Sequence, residues 1–220
     1  MIQCAGVWFP QNENHLIGMV RQSPTVNGRG TYQIHKYWRA MEFVRPERRG
    51  ALDIGAHVGL WTRVMATNFQ EVVCFEPTPA HIDCWNKNCA DLQNVVLVEA
   101  AVGEVAGEVG LDLYPGNTGH TQISVDPTAK HIARMVRIDD MVREDYPIDF
   151  IKIDVEGYEL FAARGAERTI LRNRPCIIVE QKANNAEKFG NHRFAALQYL
   201  KSLGAVERDV ISGDYILSWD

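Results

Sequence analysis

Four acidic residues stand where short apolar runs end: Asp53, Glu76 after V-V-C-F, Asp154 after F-I-K-I, and Glu180 after C-I-I-V. Each alone reads as a turn or helix-cap residue. Together they place charge at the carboxyl ends of candidate strands, the edge where open α/β sheets bind ligands. A purely structural sheet does not need such an accumulation. Lys152 shares a strand face with Asp154 by two-residue alternation, so its ammonium can hold that carboxylate charged or simply satisfy it. His120 opens the segment H-T-Q-I-S with an imidazole, the side chain whose charge changes near neutral pH. Carboxylates and an imidazole so placed can take a proton from a hydroxyl as it attacks an electrophile.

The element that must position these groups is Ala51–Thr62, A-L-D-I-G-A-H-V-G-L-W-T. An apolar run ends in Asp53, a loop carries Gly55 and Gly59, and a helix begins at Leu60, the first unit of a doubly wound sheet. Gly55 can take backbone angles closed to other residues, and Gly59 permits close approach to the helix. Dinucleotide cofactors call for G-x-G-x-x-G around a pyrophosphate, and here His57 replaces the middle glycine. An acid ahead of the first glycine suits S-adenosylmethionine instead, whose ammonium and sulfonium a carboxylate can meet. Glu76 closes the next strand at the spacing of about 20 residues where a carboxylate grips ribose hydroxyls.

The remaining chain supplies more of the same alternation. Glu71–Glu76, Asn94–Val98, Phe150–Asp154 and Pro175–Glu180 read as strands, with Asn94–Val98 expected to be covered on both faces. Helices are expected over Ala80–Leu92, about Arg193–Ser202 and, covering one side of the sheet, Thr31–Val44. Residues 1–30 read as short strands or loops and 103–125 as hairpin-like excursions. Asp139 reads as the N-cap of a short helix, and Ala205–Arg208 with Tyr215–Trp219 as two closing strands. The expected organisation is one domain, with residues 1–45 an extension of a core over 50–220. Composition is ordinary for a globular protein at 46% hydrophobic and 23% charged. A net charge of −5 argues against a nucleic-acid partner. The five cysteines lack metal-ligand pair spacing and fit a reduced, cytoplasmic protein, and no apolar run approaches a membrane span.

The blocks D-I-G-A-H-V-G, F-E-P-T-P, I-D-F-I-K-I-D-V-E-G-Y-E-L and I-I-V-E, spanning about Leu52 to Gln181, resemble the FkbM family of S-adenosylmethionine-dependent methyltransferases. The resemblance implies a Rossmann-like methyltransferase fold: a seven-stranded, mostly parallel sheet with helices on both faces, six parallel strands and an antiparallel last one. It further implies O-methylation of a hydroxyl on a sugar, glycan or small natural product. Carried over, Asp53, Gly55, His57 and Gly59 would line the methionine end of the cofactor, Glu76 the ribose and Ala101 the adenine.

Methyl transfer to an alcohol asks for alignment and a base within reach of the departing proton. Asp154, Glu156, Glu180 and His120 are the candidates, with Asp154 preferred for a site role and Lys152 its partner. Asp139, Asp140 and Asp154 carry the hard oxygen ligands a divalent metal takes, but the neighbouring pair reads more simply as a cap, and no metal is expected. Two other readings stay open: a nucleotide-cofactor oxidoreductase, and a binding module that keeps the sheet without turnover.

Overall fold

The computed structural model describes residues 1–182 and 184–220. Seven strands build the central sheet: β1 (Gly50–Ile54), β2 (Glu71–Phe75), β3 (Val95–Val98), β4 (Phe150–Ile153), β5 (Cys176–Glu180), β6 (Val206–Ile211) and β7 (Asp214–Ser218). Their spatial order is β6-β7-β5-β4-β1-β2-β3. The first five pair in parallel, and β7 runs antiparallel to both of its neighbours. Six strands therefore share one direction and the last opposes them. The chain order reverses between β1 and β4, which creates the crevice where a doubly wound sheet takes its ligand.

Continuous apolar sequence explains the centre of this sheet. Every residue of β1, β4 and β5 is buried, because helices cover both faces. On one face Leu52, Ile151 and Ile177 pack against the helices Glu159–Arg164, Glu167–Asn173 and Ala195–Ser202. On the other, Ala51, Cys74 and Phe150 meet Ile34–Met41, Leu60–Ala66 and Pro79–Asn88. β3 departs from expectation. It is an edge strand with Val96 48% exposed, so its V-V-L-V run is not covered on both faces.

The N-terminal segment forms two small hairpins and a helix, His15–Gln22, where only strands or loops were expected. Leu16, Ile17 and Val20 of that helix pack with Val7 and Phe9 onto Val58 and Leu60 of the glycine loop. The excursion after β3 becomes a second, four-stranded sheet from Ala101–Val102, Gly107–Asp112, Gln122–Ile123 and His131–Val136. Asp139 does not cap its own short helix. Its two oxygens accept the Arg168 and Thr169 N–H groups at 3.0 and 2.9 Å, capping the helix Glu167–Asn173 instead.

Candidate active site

A cavity of about 580 Å³ opens beyond the carboxyl ends of β1, β2, β4 and β5. Its size lies within the range of small-ligand sites. Its wall draws on the glycine loop, the second sheet, the 117–123 turn, the segment after β4 and Tyr32 of the N-terminal extension. Of the residues singled out from sequence, Gly55, His57, Glu76, Ala101, His120, Lys152, Asp154 and Glu180 line it, whereas Asp53 and Gly59 do not.

The glycine loop shows why. Gly55 sits at φ +82°, and a Cβ there would collide with the carbonyl oxygen of Asp154, so the β1 and β4 ends meet only because the side chain is missing. Gly59 faces the other way. A Cβ on it would press on Cys89 Sγ at 2.8 Å, so its bareness admits the helix Pro79–Asn88, not a ligand. Asp53 precedes the last residue of β1 and points behind the cavity wall, fully buried. It accepts a hydrogen bond from Thr62 Oγ1 at 2.7 Å and lies 3.4 Å from Lys152 Nζ, its register partner across the sheet. Asp53, expected against the methionine end, therefore stands outside the cavity lining and beside Lys152. That ammonium donates to the Gly55 carbonyl at 2.9 Å and lies 3.7 Å from Asp154, tying the loop to β4.

At the β2 end, Glu76 is 5% exposed and holds the loop. Its Oε2 accepts the His57 N–H at 2.9 Å, and its Oε1 accepts the Thr78 N–H at 2.9 Å and meets His81 Nδ1 at 3.0 Å. Burial raises the proton affinity of this carboxyl, but His81 and then His57 outweigh burial and bring it down to about 2. A carboxylate offers about four acceptor positions; three are used here, leaving one on Oε2 for a ligand. Nearby, Thr78 Oγ1 is sealed in the wall without a partner. Apolar Ala101, Leu111 and Ile123 pack together and, with Val102, form a nonpolar panel of the wall. These features suit a nucleoside: a donor-bearing ribose on Glu76 and an aromatic base on the panel.

At the β4 and β5 ends, oxygens of Asp154, Glu156 and Glu180 lie within 4.8 Å of one another. Glu156 reaches in from a left-handed backbone position, φ +53°, and accepts Asn185 Nδ2 at 2.8 Å. Burial, and then the charge of Asp154, push the Glu180 and Glu156 carboxyls upward. Lys182 contacts Glu180 and lies 3.7 Å from Asp214, supplying a positive charge to this end. Two ammoniums meet the cluster, Lys152 at Asp154 and Lys182 at Glu180, yet burial and crowding still leave Glu180 and Glu156 holding a proton more readily than an ordinary carboxyl. The spacing of the three carboxylates would also span a divalent cation. Tyr32 lines the same cavity, and burial followed by the charge of Asp154 raises its phenol to about 12.

His120 stands apart from this cluster. It closes a short 3-10 turn, Thr118–His120, instead of opening a strand, and lies exposed at the rim 3.3 Å from Asn117 Nδ2. Glu159 turns inward to accept the Gly157 and Val155 N–H groups at 2.8 and 3.3 Å. Tyr32, Thr118, His81 and Lys182 escaped the sequence reading. Only His81, one helical turn past Glu76-Pro77, carried a local signal.

The family model for the methyltransferase FkbM domain matches residues 53–206. Among characterised proteins, methyltransferase sdnD of Sordaria araneosa is 25% identical over 160 residues, covering 56% of this chain and 62% of the relative. Methyltransferase 1 of Beauveria bassiana is 26% identical over 150 residues, covering 56% and 60%. The chain thus spans about three-fifths of the length of these relatives. Among solved structures, an FkbM methyltransferase from Methylobacillus flagellatus superposes with a TM-score of 0.56 at 19% identity, over 84% of this chain and 46% of that one. A Streptococcus mutans protein solved in complex with SAH superposes with a TM-score of 0.51 at 11% identity, over 84% and 94%. At these identities the structural likeness is one of fold. No helix among the described residues is long and apolar enough to cross a membrane.

Proposed function

Because the chain belongs to the FkbM methyltransferase family, we propose that it transfers a methyl group from S-adenosylmethionine to a hydroxyl of a small acceptor, a sugar unit or natural product. The residues present fit that cofactor. The spare Glu76 position would meet ribose hydroxyls, the Ala101–Val102 panel the adenine, and the acidic end its cationic groups. Bound there, S-adenosylmethionine supplies a methyl group already activated by a sulfonium.

The protein must align a nucleophile and accept its proton. Lys152 fixes the β4 end through Gly55 and orients Asp154. Asp154, with Glu180 and Glu156 beside it, stands ready to take the proton of an acceptor hydroxyl. The observation that carries the reading is this carboxylate cluster, in which burial and the charge of Asp154 raise the proton affinity of Glu180 and Glu156. The second-glycine position of the dinucleotide fingerprint is filled by His57 at φ +51°, which speaks against the oxidoreductase alternative.

The test is a panel of hydroxylated and amine acceptors incubated with S-adenosylmethionine, with release of S-adenosylhomocysteine and the product's methyl position read out. Transfer to oxygen is expected, and Asp154→Asn should lower it by roughly 10²–10⁴, the range for general acid–base catalysis. Methylation of the amines alone would refute the O-methyl reading. An Asp154→Asn protein as fast as the parent would remove Asp154 as base.

A further inference from the structure

The N-terminal extension reaches the cofactor loop through a chain of hydrogen bonds whose donors can be assigned. Glu13 is 1% exposed, and backbone N–H groups meet both of its oxygens: Leu16 at 2.7 Å on Oε1 and Thr118 at 2.8 Å on Oε2. The Thr118 hydroxyl lies 2.5 Å from the same Oε2 and 2.9 Å from His57 Nε2. A second strut, Asn14 N–H to the Gly116 carbonyl at 3.2 Å, holds the two segments in register.

A carboxylate met by backbone donors is an acceptor, so the single hydroxyl proton of Thr118 goes to Glu13. Thr118 Oγ1 then has only lone pairs left for His57, and His57 Nε2 must be the donor. Burial and the neighbouring His81 ring, 3.9 Å away, hold the His57 proton affinity well below the ordinary value, so the ring carries one proton at neutral pH. With that proton on Nε2, Nδ1 is a bare lone pair. Among the described residues Nδ1 has no hydrogen-bond partner, nor is it one of the sealed, partnerless atoms, and the ring lines the cavity.

We infer that Glu13 and Thr118 are positioning residues that hold the His57 proton on Nε2 and present Nδ1 to the cavity as an acceptor for a donor group of the bound nucleoside cofactor. The assignment of that ligand rests on the function proposed above; the hydrogen-bond chain itself does not. The extension is then part of the active site: residues more than a hundred positions apart decide which way one ring of the loop is protonated.

The test compares the parent, Thr118→Val and Thr118→Ser. Ring-nitrogen NMR of the ligand-free protein reports the His57 tautomer, with His57→Gln identifying its signals, and calorimetry with S-adenosylhomocysteine reports the consequence. The parent should show Nε2–H alone. Thr118→Val, nearly isosteric and retaining the backbone bonds to Glu13, should give a tautomer mixture and roughly three- to tenfold weaker binding, the worth of one hydrogen bond. Thr118→Ser should restore both. An Nδ1–H ring in the parent, or a Thr118→Val protein unchanged in either readout, overturns the inference. A parent that binds no S-adenosylhomocysteine overturns the proposed function and His57's role toward that ligand, while the NMR result still decides the Glu13–Thr118–His57 chain.

Discussion

Replacing Glu76 by Gln tests whether this carboxylate is a structural strut as well as a ligand. The substitution keeps the side-chain volume and removes the charge. It also turns an NH₂ group toward at least one of three donors: the His57 N–H, the Thr78 N–H or His81 Nδ1. A proton affinity lowered from the ordinary 4.5 to about 2, at ~1.4 kcal/mol per pH unit, makes the ionised group worth about 3 kcal/mol to the folded state at neutral pH. The group is buried, so solvent does not screen this. The folded-state affinity is depressed, so the contribution is present above about pH 4.5 and fades as pH falls toward 2. Urea denaturation of parent and Glu76→Gln should differ by about 3 kcal/mol at pH 7 and by only about half of that near pH 3. A difference below ~1 kcal/mol at pH 7, or one that does not change with pH, would refute the strut. The variant should also lose affinity for S-adenosylhomocysteine, because the His57 amide and the ribose position are held by the same carboxylate.

Gly55→Val should abolish folding or cofactor binding, since φ +82° and the Asp154 carbonyl leave no room for a branched side chain; a variant that binds normally would show that the loop does not face the cofactor. Lys152→Met should cost roughly 3–5 kcal/mol in denaturant titrations, because it strands the buried Asp53 carboxylate without its counter-charge. Glu180→Gln should behave oppositely. Burial and Asp154 raise Glu180 above its unfolded-state affinity, so the parent loses stability as pH climbs past the unfolded value of about 4.5. The variant should therefore melt higher than the parent at pH 8 and match it near pH 4 while transferring methyl more slowly, and equal melting temperatures at pH 8 would count against the crowded triad.

The central strands were legible because strands buried on both faces write continuous apolar runs that stop at turn residues. β2 and β5 begin or end within a residue of the expected positions for that reason. The same code misled at β3, where an equally apolar run lies at the sheet edge; run composition does not say what covers a strand. Helix His15–Gln22 was hidden because its apolar face, Leu16, Ile17 and Val20, is short and flanked by polar turns, and becomes buried only through contact with the glycine loop. In the candidate site the acids at strand ends were readable one by one, whereas their roles depend on direction. Asp53 lies one residue short of the end of β1 and turns into the protein, while Asp154 follows the end of β4 and faces the cavity. Glu13 and Thr118 meet across more than a hundred residues of chain, and no spacing rule within a segment brings them together.

Titration calorimetry of the purified protein with S-adenosylmethionine, S-adenosylhomocysteine and NAD tests the assignment of the cavity most directly. Saturable binding of the first two at one site per chain, weakened by Glu76→Gln, together with no heat from NAD, is the expected result. Binding of NAD with none of the two sulfur nucleosides, or binding of neither class, would contradict it.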